Sequence, residues 1–164
     1  MSQPVIVDRP AAPYVAIPAT LPMERFATDL PPLVPRVVGW ALQHGLELSG
    51  PPFFRYNVVN MSAPMELEVG VTVTAGTAGD DGVVSGVLPA GRYASVVHVG
   101  HPAGLMQATV DLLAWAEGKG LAFDVQPSPQ GDRWAARLEL YRTDPRQEPD
   151  MDKWETELAF KLAD

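Results

Sequence analysis

Two hydrophobic periods alternate along this chain, and the same succession of periods occurs twice. Val34, Val37, Val38, Ala41 and Leu42 recur at helical spacing and predict a helix over residues 28–45. Pro31, Pro32 and Pro35 must lie before it or in its first turn, and Gly45 can cap its end in the left-handed conformation. Residues 53–59 and 65–74 then alternate as strands, joined by the turn-rich segment 60–64. A small, polar, Gly-rich stretch, 75–82, separates this half from the next. The order then returns. Residues 83–99 form one bent strand or two around Pro89-Ala90-Gly91. A helix starts at Pro102, carries Met106, Thr109, Val110 and Leu113 as its stripe, and ends at Gly118 and Gly120. Strands over 134–141 and 154–162 complete the half. Similar short strands, 13–17 and 92–97, precede the two helices.

Each half therefore predicts strand, helix, strand, strand. The expected fold is α+β: a duplicated βαββ unit with pseudo-twofold symmetry, halves near 1–78 and 79–164, forming one domain over 1–164. An antiparallel sheet carries two helices on one face and a ligand cleft on the other, at the seam between copies. Alternation assigns Leu158, Phe160 and Leu162 to the helices. It assigns Trp134, Ala136, Leu138 and Leu140 to the same side. Arg137, Glu139 and Tyr141 are then left on the open face, where Phe54 and Tyr56 occupy the matching positions of the first half.

Composition narrows the chemistry. At 164 residues and 46% apolar, the chain can bury a real core. Its 20 acidic and 12 basic residues give a net charge of −8, which repels phosphate backbones and argues against direct nucleic-acid binding. With no cysteine, thiol chemistry and cysteine-based zinc sites are excluded. The first residues lack the basic and apolar regions of a signal peptide, and no apolar run is long enough to span a bilayer, so a cytoplasmic protein is expected. His98 and His101 are three apart, but Gly100 and Pro102 break any helix there and no acidic ligand stands at suitable spacing. No metal and no cofactor are expected. Ser85, Ser95 and Ser128 lack a nucleophile-elbow context, and residues 76–82 lack the ending of a phosphate loop.

Several segments together resemble a known family. Gly50-Pro51-Pro52-Phe53 through Tyr56, Glu68-Val69-Gly70-Val71, Leu138-Glu139-Leu140-Tyr141 leading to Asp144-Pro145, and the closing Trp154-Glu155-Thr156-Glu157-Leu158 are similar to the GyrI-like small-molecule-binding superfamily. That superfamily includes effector domains of multidrug-sensing transcription activators, gyrase inhibitors, free-standing proteins and a clade that hydrolyses cyclopropanoid genotoxins. The resemblance implies binding of a hydrophobic, aromatic, often cationic compound between the halves, with Glu139 on the cleft floor. Tyr141, Tyr56, Phe54, Glu68, Trp154 and Met106 complete the expected ligand-binding set, with Met61 and Met65 as further adaptable wall. In the hydrolytic alternative Glu139 serves as general base. A third alternative is a gyrase-inhibitor-like interaction protein, which leaves a protein partner open. No helix-turn-helix precedes the domain, so direct transcriptional control by this chain is not expected.

Overall fold

The computed structural model describes residues 3–164. Ten strands form a single antiparallel sheet: β1 (Val5–Arg9), β2 (Ala12–Leu21), β3 (Leu48–Val59), β4 (Met65–Val73), β5 (Val84–Leu88), β6 (Gly91–Val99), β7 (Val125–Ser128), β8 (Gly131–Trp134), β9 (Arg137–Tyr141) and β10 (Glu155–Lys161). The helices are α1 (Phe26–Asp29), α2 (Leu33–Gln43) and α3 (Leu105–Gly118). The main path runs β1-β6-β10-β9-β3-β4-β2-β5, with β7 and β8 branching from β3. This order has the same pattern from both ends. The first strand of each predicted unit, β2 or β6, pairs with its last, β4 or β10. The last pairs with the second, and the second strands β3 and β9 meet at the centre.

The α+β class and the antiparallel sheet agree with the sequence reading, and several boundaries move for local reasons. The first predicted helix is split. Leu30, Pro31 and Pro32 interrupt it, because proline cannot donate to the helical ladder and disfavours helix in the residue before it. Both long helices end alike. Gly45 and Gly120 take φ of 71° and 69°. Leu46 N–H then donates to Ala41 O, and Leu121 N–H to Ala116 O, each 3.0 Å. This is the hydrogen-bond pattern of a Schellman cap, whose left-handed residue favours glycine. On α3 the buried stripe is Leu105, Ala108, Leu112 and Ala116 rather than the one expected. Met106 and Val110 are 56% and 52% exposed.

The register corrects the expected facing. Leu158 lies opposite Glu139, Glu139 opposite Phe54, and Phe54 opposite Val69. Directly opposed residues share a face. Leu158 packs with α3 residues Leu105 and Leu112, and Val69 packs with α2 residues Val37 and Trp40. Glu139, Tyr141, Phe54 and Tyr56 thus lie on the face that carries the helices, in the strands between α2 and α3. Leu138, Leu140 and Ala136 point the other way, into a second apolar cluster with Phe53, Tyr14, Tyr93 and Ala159. The sheet is curled and fills its far face too, so both sides of β9 meet protein. Gly70 makes room inside that second cluster. A Cβ there would sit 2.8 Å from both the Phe53 ring and Val15 O.

Candidate functional site

The central pair β3 and β9 brings together most of the expected residues. Glu139 Oε1 accepts hydrogen bonds from the hydroxyls of Tyr56, at 2.9 Å, and Tyr141, at 2.5 Å. The Phe54 and Tyr141 rings meet edge to face with centroids 4.7 Å apart, and Phe26 of α1 leans on Tyr56 at 6.1 Å. Across an antiparallel pair, opposite and diagonal positions are within reach of aromatic side chains. That is how one glutamate gathers two tyrosines from different halves of the sequence.

Sequence reasoning placed Arg137 beside this group but did not assign it a role. Its guanidinium carbon lies 4.8 Å from the centroid of Phe160, 4.9 Å from that of Trp134 and 5.8 Å from that of Tyr56. Two residues before Glu139 on the same strand, it must share Glu139's face. The signal was available in the alternation, since a cation two positions from a cleft carboxylate is its neighbour by necessity.

Glu139, Phe54, Tyr56, Arg137 and Tyr141 are all only half-buried, although they sit in mid-sheet with helices on both flanks. Each of these residues keeps some accessible surface, so this part of the sheet between the helices is reachable from solvent. Burial pushes the Glu139 carboxyl above the usual carboxylate range. The Tyr141 and Tyr56 hydrogen bonds and the Arg137 charge oppose this without cancelling it. Burial, and then the neighbouring Glu139, hold both tyrosine hydroxyls well above their ordinary value, so they stay protonated and donate. Burial also lowers Arg137, against the pull of Tyr56, Glu139 and Asp132.

The other expected site residues lie elsewhere. Glu68 points to the opposite face. There it accepts from Tyr14 at 2.9 Å and Asn57 at 2.9 Å, and lies 3.5 Å from Arg55. Within that network burial and Glu68 push Tyr14 up to about 12. Glu68 is thus engaged in holding the second core together. Trp154 donates its indole N–H to Glu148 O at 2.7 Å and has no described contact with Glu139. Met106 faces outward from α3, Met65 is core, and Met61 is exposed. Two surface hollows, one lined by Pro22–Glu24 and residues 61–64, the other by Pro35, Arg36, Trp40 and Val83, include none of the Glu139 group. The Glu139 group is the candidate because it joins convergent polar side chains to a carboxylate of raised pKa. Among the described residues no cluster of histidine and carboxylate side chains is arranged to hold a metal. No described helix is long and apolar enough to cross a membrane.

Comparison with solved structures shows the fold. EcmrR in a complex with DNA is 20% identical with a TM-score of 0.76, and its match covers 98% of this chain and 57% of that one. The chain therefore spans little more than half of EcmrR, and the isolated C-terminal domain of EcmrR accounts for that part: 19% identity, TM-score 0.74, with 98% and 97% covered. A hydrolase from Listeria innocua is 13% identical with a TM-score of 0.62 over 98% of this chain and 92% of that one. SAV2435 bound to tetraphenylphosphonium is 13% identical with a TM-score of 0.60 over 99% and 94%. No curated protein matches significantly by sequence. The family described as GyrI-like small molecule binding domain matches residues 2–163, and on that nearly complete match the chain belongs to this family.

Proposed function

We propose that the sheet between the helices offers an opening over Glu139, and that it binds a flat, hydrophobic aromatic small molecule that presents a hydrogen-bond donor or positive charge to the carboxylate. One observation carries this reading. Glu139 Oε1 is engaged by Tyr56 and Tyr141, whereas Oε2 accepts no hydrogen bond among the described residues and is not sealed from solvent. Two fixed donors orient the carboxylate and leave one acceptor free. Phe54, Tyr56 and Tyr141 supply ring faces and edges for stacking. A ligand cation near such rings gains about 0.5–2 kcal/mol from each well-placed contact. The neighbour that was solved with tetraphenylphosphonium, a lipophilic aromatic cation with neither a flat shape nor a hydrogen-bond donor, supports the aromatic and cationic part of this reading.

A second reading has one observation in its favour. A carboxylate with a raised pKa and a free oxygen is placed to take a proton from water. In that case a cyclopropanoid electrophile would be opened by water with Glu139 as base. The deciding experiment has two parts. Fluorescence anisotropy of rhodamine 123 with the purified protein tests binding, and mass spectrometry of a cyclopropane-fused dienone after incubation tests turnover. Micromolar dye binding with the dienone intact supports a receptor. A water adduct formed by the wild type and not by Glu139→Gln supports the hydrolase. Absence of both overturns the assignment of the opening as a site.

A further inference from the structure

We propose that Arg137 is the second recognition group of this opening, and that its ligand is amphoteric. A donor on the ligand meets Glu139, and a carboxylate or strongly polarised carbonyl on the same flat molecule meets the Arg137 guanidinium. This rests on the binding reading above and names its ligand class.

A guanidinium carries five N–H donors and cannot shed its charge in a protein. Among the described residues the Arg137 side chain makes no hydrogen bond and no ion pair at all. Nε is buried without a partner, and the indole Nε1 of the adjoining Trp134 is likewise unpartnered. The other interior arginine shows the usual solution. Arg55, on the opposite face, donates to Tyr14 and to Ala135 O and lies 3.5 Å from Glu68. Arg9 and Arg142 each contact Glu157. Arg9 and Arg55 also leave a buried Nε without a partner, but their terminal nitrogens and those of Arg142 are bonded, and those of Arg137 are not. Its nearest company is aromatic, with Trp134, Phe160 and Tyr56 around the guanidinium. The rings surround it and offer no conventional acceptor to its donors. The terminal nitrogens are not sealed, so they remain open to an incoming acceptor.

Arg137 and Glu139 are two apart on one face of β9, and Tyr56 touches both, by its ring to Arg137 and its hydroxyl to Glu139. Yet the two charges form no salt bridge with each other. Asp132 and Glu139 are the carboxylates whose charge acts on Arg137, and neither pairs with it. An acid and a base held apart on one aromatic floor, each with a free valence, form a template for a molecule with the opposite polarity at each end. A bare lipophilic cation would satisfy Glu139 while approaching an unpaired guanidinium. A charge-assisted, bidentate contact to carboxylate is what a guanidinium plane makes best.

A matched pair of dyes isolates the claim. Rhodamine 110 carries a free carboxylate on its pendant ring, and rhodamine 123 is its methyl ester. Their xanthene amines are the same. Anisotropy titrations at neutral pH are expected to show wild type favouring rhodamine 110 by about tenfold or more, the scale of a hydrogen bond between charged groups. Arg137→Met keeps the stem between Trp134 and Phe160, and is expected to abolish that preference while binding rhodamine 123 at least as well. Arg137→Lys keeps the charge without the fork and is expected to retain part of the preference. Thermal melts confirm that each variant is folded. Should Arg137→Met misfold, the wild-type ratio of the two dyes and the Arg137→Lys ratio still decide the matter. Equal affinities in wild type, or the same preference in folded Arg137→Met, would overturn the role of Arg137 and leave the binding reading standing. Failure of both dyes to bind wild type counts against the binding reading and the proposal together.

Discussion

Replacing Glu139 by glutamine is expected to move affinity and stability in opposite directions. Glutamine is nearly isosteric and keeps a carbonyl oxygen, so the Tyr56 and Tyr141 hydroxyls retain an acceptor. Only the charge is lost. For rhodamine 123 that removes a charge-assisted contact at Oε2, worth about 1.5–3 kcal/mol, or roughly 10- to 150-fold in affinity. For the free protein the same change removes a desolvated carboxylate. The folded Glu139 holds its proton more tightly than the unfolded chain does, because burial raises its pKa. Its contribution to stability is therefore intact below the unfolded carboxyl pKa and is lost as pH rises through the folded one. As pH rises toward 7.5 wild type bears a growing share of that penalty, and Glu139→Gln bears none. Relief of a site residue of this kind is typically about 1 kcal/mol, or about 2–4 °C in Tm for a domain of this size. Near pH 4 the advantage of the variant is expected to shrink. The assay pairs anisotropy with thermal melts at pH 7.5 and 4.0. A variant that is less stable than wild type at both values, by the same amount, would refute the burial argument. Unchanged dye affinity would remove Glu139 from the site.

Other outcomes follow from the same geometry. Tyr141→Phe takes away a donor that favours the ionised carboxylate, so the pH at which rhodamine 123 affinity falls off is expected to move upward, as read from anisotropy across a pH series. Gly70→Ala places a Cβ 2.8 Å from Val15 O, a backbone atom that cannot swing away, and about 2 kcal/mol of stability is expected to be lost in urea unfolding. Burial works against the Glu157 charge, but hydrogen bonds from Ser95, Arg9 and Arg142 prevail and hold its pKa below the usual range. Its stabilising effect is present above the unfolded carboxyl pKa and lost as pH falls through the folded one. Glu157→Gln is therefore expected to destabilise the protein at neutral pH and to flatten the acid side of its stability profile in melts from pH 7 to 3.

The sequence alone was enough for the class of fold, for most of the main strands and the two long helices, for the glycine caps, and for grouping Glu139 and Tyr141 with Phe54 and Tyr56. It did not show β1, β5 or the β7–β8 hairpin as separate strands, nor the break between Trp134 and Arg137. What it did show depends on local physics. Period 2 against period 3.6 separates strand from helix, proline and glycine punctuate, and alternation fixes which residues of one strand travel together. Glu139 and Tyr141 were thus bound to share a face, and Arg137 with them. Alternation cannot say which face that is. The sign is usually supplied by hydrophobicity, on the assumption that one side of the sheet is core and the other wet. Here the sheet curls and buries both. Leu138 and Leu140 are as apolar as Leu158 and Phe160, but pack into the far cluster with Phe53 and Tyr93. Only the pairing of β9 with β3 and β10 decides that the glutamate lies between the helices. The same long-range pairing separates Glu68 from Glu139. Both are strand carboxylates in the sequence, and only the fold gives Glu68 the partners Tyr14, Asn57 and Arg55 and leaves one oxygen of Glu139 free.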